Sequence, residues 1–172
     1  CVVADDASRI AGASFEGKVV VEWLDDPYVL KLRLVNDFAF HDATGIEAVL
    51  HLSPRRPMVF NGPPPKRFLW LEYDDEHQAG LDERWLAGRF IYDAVKESEL
   101  VLIHHPEGMH RTRWAYVAYN LMAGKTLIAA LHQAQQRPWL APYHTDKDDW
   151  QAFVASLIEA GEGPPGGEHA VP

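Results

Sequence analysis

The spacing of the hydrophobic residues changes once along the chain, and that change limits what it can fold into. Up to about residue 75, apolar residues alternate or run together in short β-branched and aromatic stretches. From about residue 82 they recur three and four apart, the spacing of a helix with one buried face. A chain built this way places strands in front and helices behind, because a face of period 2 and a stripe of period 3.6 must be buried against each other.

Lys18 to Leu24 (KVVVEWL) reads as a strand, stopped by the turn chemistry of Asp25-Asp26-Pro27. Leu30, Leu32 and Leu34 alternate with Lys31 and Arg33, and Phe38 and Phe40 resume the alternation before a turn ending at Gly45. Glu47 to Leu52 (EAVLHL) and Arg67 to Tyr73 (RFLWLEY) supply two more strands. Together they outline an antiparallel β-meander. Pro54, Pro57 and the run Pro63-Pro64-Pro65 make residues 53 to 66 a loop, since proline donates no ladder hydrogen bond. Three consecutive prolines favour polyproline II and stiffen that loop.

In the second half, Trp85, Leu86, Phe90, Ile91, Ala94 and Val95 predict a helix over residues 82 to 98. Leu100 to Ile103 (LVLI) is a short apolar run that suits a buried strand, and helix returns from Met109 to Met122. Gly124-Lys125 ends that helix, and Thr126 to Leu131 (TLIAAL) fits either a buried strand or another helix. Asp146 to Glu159 predicts a terminal helix with acids in its first turn. The expected architecture is α+β: an N-terminal antiparallel meander packed against C-terminal helices, in one domain over residues 1 to 160 with a flexible tail over 161 to 172. The alternative is a flavodoxin-like α/β second half.

Acidic residues outnumber basic ones by 25 to 16, for a formal charge of −9. Such a field repels a phosphate backbone, so nucleic acid is disfavoured as a partner. No apolar stretch is long enough to cross a bilayer. Cys1 is the single cysteine, which excludes an intramolecular disulfide. The expected location is cytoplasmic or virion-associated, or a lipid anchor through Cys1 if a leader has been removed.

Four groups of residues raise the question of chemistry. His104, His105 and His110 in HHPEGMH are possible zinc ligands, although hydrogen-bonded loop histidines are the commoner outcome for such spacing. Asp74-Asp75-Glu76 and Asp146 to Asp149 could pair carboxylates, but both runs occupy turn or helix-start positions where acids cap. Trp114, Tyr116 and Tyr119 read first as helix packing. Gly124-Lys125-Thr126 lacks the upstream glycine of a nucleotide-binding loop, because position 119 is Tyr.

LRLVNDFAFHDATG (32 to 45), PMVFNGPPPKRFLW (57 to 70) and ERWLAGRFIYDAVKES (83 to 98) resemble the domain-of-unknown-function family numbered 1353, common in phages and prophages. Where that family has an Asp-Gly-Ala-Ser-Ile-Pro-Arg segment this chain has Asn61 to Arg67, and where it has His-Asp this chain has Tyr92-Asp93. SPRRP (53 to 57), SELVLIHHPEG (98 to 108) and NLMAGKTLI (120 to 128) are in turn similar to nucleoside deoxyribosyltransferase-type domains, whose nucleophilic Glu has no counterpart here, since nothing from His110 to Lys125 is acidic.

These resemblances imply a non-catalytic binding or structural protein of phage type. It would grip a protein partner or small anionic ligand through the stiff loop and an aromatic surface, with Arg55, Arg56, Asn61, Lys66, Arg67 and Trp70 as contacts. The alternative is a hydrolase or glycosyl-bond enzyme in which Tyr92, Asp93 and His105 share a cleft with the other histidines.

Overall fold

A computed structural model of the chain describes residues 10–15, 19–23, 29–32, 45–52, 64–72, 79–105, 112–135 and 147–162, with the backbone alone for the first three stretches and for His104, His105 and Thr112. Among them are six strands: β1 (Ile10–Phe15), β2 (Val19–Trp23), β3 (Val29–Leu32), β4 (Ile46–Leu52), β5 (Arg67–Leu71) and β6 (Leu100–His105). They form one sheet in the order β3-β2-β1-β6-β4-β5. The expected fold class holds: the protein is α+β, and β1, β2 and β3 form an antiparallel meander at one side of the sheet.

The meander stops there. β4 does not continue it from β3 but crosses to the far side of β6, and β1, β6, β4 and β5 are mutually parallel where they touch. The reason is visible in β4 itself. Ala48-Val49-Leu50 is a continuous apolar run, and every residue of the strand except Glu47 is buried. A strand covered on both faces belongs inside a parallel sheet, whereas an antiparallel surface strand alternates. The register with β6 slips once between Ile46 and Ala48, a bulge that leaves Glu47 exposed at the strand's entrance. The expected alternation at Phe38 and Phe40 lies outside the described residues.

Four helices are described: α1 (Leu81–Lys96), α2 (Thr112–Met122), α3 (Leu127–Gln135) and α4 (Lys147–Glu159). The buried stripe of α1 is Arg84, Ala87, Gly88, Ile91 and Ala94, the spacing of one helical face. It packs into a core with Leu50, Leu52, Val101 and Ile103 from the sheet and Trp114, Val117, Ala118 and Leu121 from α2. The stretch 126 to 131 is helical: the Thr126 side chain accepts a hydrogen bond from the Ala129 amide at 3.2 Å, so the threonine serves as an N-cap where a strand would have needed a sheet edge. None of these helices is long and apolar enough to cross a membrane.

α4 closes the core from the α1 side. Trp150 and Phe153 are fully buried and meet edge to face at 5.9 Å, and Trp85 of α1 meets Phe153 the same way at 6.1 Å. The Trp85 indole N–H donates to the Ser156 hydroxyl at 2.9 Å, so its one polar atom is satisfied. Arg84 lies over the Trp150 ring at 4.6 Å, which lets a guanidinium be buried at the helix interface, with Asp149 3.7 Å away. Trp114 and Tyr116 pack inside the core and Tyr119 against it, as their helical spacing implies.

Helix ends follow one device. At α2 the Gly124 amide donates to Leu121 and the Lys125 amide to Asn120, with Gly124 at φ +99°. At α1 the Ser98 amide donates to Val95 and the Glu99 amide to Ala94, but the left-handed residue is Ser98, at φ +60°. A side chain there carries a steric penalty of about 1–2 kcal/mol. Ser98→Gly is expected to raise stability by roughly 0.5–1 kcal/mol, the relieved strain less the extra unfolded-state entropy of glycine, measured by urea denaturation. Gly88 tests the α1–α2 contact, because a Cβ there would stand 3.2 Å from the Ala118 carbonyl oxygen. Gly88→Val is expected to destabilise by about 1–3 kcal/mol, while Gly88→Ala comes out milder because the helix gains about 1 kcal/mol of propensity.

Candidate functional site

A parallel sheet has two unlike edges, and the polar residues of this protein divide between them. At the C-terminal edge end Leu52 of β4, Leu71 of β5 and His105 of β6. β6 lies between β1 and β4, and residues 106 to 111 (Pro-Glu-Gly-Met-His-Arg) join it to the first residue of α2. The start of α2 therefore belongs to the same edge as the end of β6. A helix begins with backbone N–H groups that have no partner within the helix, and the positive end of its dipole coincides with them. The first turn of α2 contains no acidic residue to neutralise that end. It contains Arg113 instead, 3% exposed, and Arg111 immediately precedes the helix. A parallel strand that leads into a helix whose first turn lacks acid puts free backbone N–H groups and the positive end of the helix dipole at this edge.

His51 stands at this edge too. It is the next-to-last residue of β4, buried, in register with His104 of β6, and its ring stacks on Phe68 of β5 with centroids 6.3 Å apart and planes 26° from parallel.

At the opposite edge, where the parallel strands begin, a carboxylate is buried. Glu99 immediately precedes β6 and is 1% exposed; the Lys66 ammonium lies 2.7 Å from one of its oxygens and the Arg67 Nε 2.8 Å from the other. Lys66 and Arg67 come directly after the three prolines, so the stiff segment delivers two cations to one buried acid and so ties the start of β5 to the start of β6. The hydrogen bond to Glu99 and then its charge, with Glu47 adding to them, raise the Lys66 pKa above the ordinary lysine value. Sequence reasoning misses Glu99. Its one signal is its position, an acid between a helix and an apolar strand with two cations entering the neighbouring strand.

The other residues expected to act are dispersed. Trp70 is half-buried within β5, in register with His51. Arg55, Arg56, Asn61 and His110 lie outside the described residues, as do the side chains of His104 and His105. Tyr92 and Asp93 sit in the last turns of α1, which leads through Ser98 and Glu99 into the beginning of β6. His105 lies about 16 Å of strand beyond Leu100, whereas Asp93 is within about 5 Å of helix rise from the turn into β6. The expected cleft joining Tyr92 and Asp93 to His105 spans opposite ends of one strand, a separation that the linear sequence conceals. Among the described residues no three His, Cys, Asp or Glu side chains come together as metal ligands.

No protein-family model matches the chain, and no curated protein sequence does. Solved structures do. A mouse protein described as a dual-specificity phosphatase and crystallised with zinc tungstate is 19% identical over 72% of this chain and 78% of its own, with a TM-score of 0.58. Human DUSP28 is 18% identical over 71% of this chain and 86% of its own, with a TM-score of 0.57. At these identities the likeness is one of fold.

It corrects two expectations. The resemblances to the phage family and to deoxyribosyltransferases do not hold, since neither kind of protein accounts for the fold and the dual-specificity phosphatase structures do. The phage-type binding role falls with them, and so does the idea of a gripping proline loop: the cations that end it are engaged with Glu99, and Leu69 and Leu71 turn to the core. The motifs behind those resemblances are strand alternation and helix spacing, which many unrelated folds share.

The Glu99 pair makes an unequal prediction for its two cations. Arg67→Ala is expected to destabilise by about 3 kcal/mol, because it removes a half-buried partner from a buried carboxylate. Lys66→Ala is expected to cost less, its ammonium being mostly in water. A lysine whose pKa is raised on folding stabilises fully below its unfolded value and loses that contribution as pH rises through the folded one. The Lys66 contribution thus disappears only in strong alkali, and thermal melting across that range should show the decline in the parent protein and not in Lys66→Ala.

Proposed function

We propose that the chain is a phosphatase-type hydrolase domain that takes a phosphate monoester at the end of β6 and the start of α2. The observation that carries this reading is the strand-to-helix junction among the parallel strands, at the edge where α/β sheets bind their ligands, with no acid in the first turn of α2 and with Arg111 directly before that helix in the sequence. The fold shared with dual-specificity phosphatases supports it, as does the tungstate bound to the mouse neighbour, a tetrahedral oxyanion like phosphate. Of the partners considered from sequence, the small anionic ligand is the one this site suits.

Phosphoryl transfer depends mainly on positioning and on neutralising charge over the equatorial oxygens. In this reading the α2 N-terminus and the Arg111 guanidinium supply that neutralisation. The chain has no cysteine besides Cys1, so the junction holds no thiol. His105, the last residue of β6, is the nucleophile available there, and histidine is among the residues that form covalent intermediates. A ring nitrogen bonds to phosphorus as the ester P–O bond breaks and the leaving oxygen takes a proton. Water then attacks phosphorus, the N–P bond breaks, and inorganic phosphate departs. Asp74, Asp75 and Glu76 follow β5 in the sequence and are the acids suited to giving that proton.

The test joins phosphate binding, followed calorimetrically, with release of phenol from phenyl phosphate. Arg111→Ala is expected to weaken phosphate binding roughly 10- to 100-fold, and His105→Ala to abolish turnover while binding persists. No phosphate binding by the parent protein sinks the reading. Turnover that survives His105→Ala removes the histidine from the covalent step.

A further inference from the structure

We infer that His51 is a positioning residue for the phosphoryl site, holding the backbone at the end of β6 that leads into it; the inference rests on the function proposed above. His51 is in register with His104, the residue immediately before His105, and neighbouring strands run about 4.8 Å apart. It is thus one strand spacing from the last turn of backbone before the junction with α2. β4 is otherwise apolar except for the exposed Glu47, and His51 is 8% exposed.

An imidazole buried in such a strand is unfavourable unless its ring nitrogens are hydrogen-bonded, since an unmet polar group costs about 1–3 kcal/mol. Packing alone is served better by leucine or phenylalanine. The stack on Phe68, with centroids 6.3 Å apart, narrows the planes the imidazole can take. A polar side chain, buried and stacked on a neighbouring ring, therefore stands at the edge of the proposed anion site and not at the edge where Glu99 is clamped. Its effect on the reaction passes through the neighbouring strand end. Orientation of a site by a supporting shell of this kind matters because displacements near 1 Å weaken binding and turnover.

The experiment compares His51→Phe and His51→Asn in the full chain with inorganic phosphate as the probe, by calorimetry, and with thermal melting in parallel. Phenylalanine keeps the ring and its stack while removing both nitrogens; asparagine returns a hydrogen-bonding group on a smaller side chain. The expected result is phosphate binding weaker by roughly tenfold or more in His51→Phe and partly recovered in His51→Asn, although phenylalanine melts at the higher temperature of the two. A histidine that only packs gives the reverse order, with His51→Phe binding like the parent and His51→Asn the weaker, and that result overturns the inference. If His51→Phe does not fold, His51→Leu takes its place: binding weaker than in His51→Asn supports the role, and binding like the parent overturns it. A parent that binds no phosphate sinks the functional reading itself, whereas a parent that binds with His51→Phe unchanged sinks only this inference.

Discussion

Parallel pairing of β4 with β6 is the constraint from which the rest of the architecture follows. Two parallel strands cannot be joined by a tight turn, so the chain must travel back along the sheet between them, and it does so through β5 and α1. That return places α1 over the sheet and lets α2, leaving β6 at its far end, pack beside it. Gly88 then allows the close approach of the two helices against the backbone of Ala118. The remaining helices add cover: α4 through its buried aromatic pair, and α3 through the hydrogen bond from Gln133 to the buried Tyr116 hydroxyl at 2.7 Å.

The same constraint gives the sheet two unlike edges. Because the four strands β1, β6, β4 and β5 all point one way, their starts share one edge and their ends the other. At the starts, a carboxylate is buried and neutralised by cations whose approach is stiffened by proline, an arrangement that binds strand to strand. At the ends there are a histidine-terminated strand, a second histidine buried beside it, and the beginning of a helix free of acid in its first turn. A buried, neutralised carboxylate at one edge and a helix start without acid in its first turn at the other give the two ends different electrostatic surroundings.

Several elements are legible in the residue pattern alone. The helical stripes of α1 and α4 follow from apolar spacing, and β4, β5 and β6 fall within a residue or two of their apolar runs. Other features are hidden there. β1 has the weakly patterned sequence IAGASF and is a strand because β2 and β6 pair with it on both edges. The stretch 126 to 131 has no deciding period, and a local hydrogen bond at Thr126 makes it helix. The candidate site is only half visible: the histidines stand out as possible ligands, but the place of His104 and His105 at the end of a parallel strand depends on neighbours that are distant in sequence.

The sequence by itself determined the change from strand to helix, the elements on either side of it and the negative charge, because periodicity and composition act within a few residues and need no partner. Only the tertiary structure decided that β4 runs parallel to β6, that Glu99 draws in Lys66 and Arg67, that Asp93 and His105 stand at opposite ends of a strand, and that His51 neighbours His104. Those are pairings between segments tens of residues apart, and they are chosen by which arrangement buries both faces of the central strands at once.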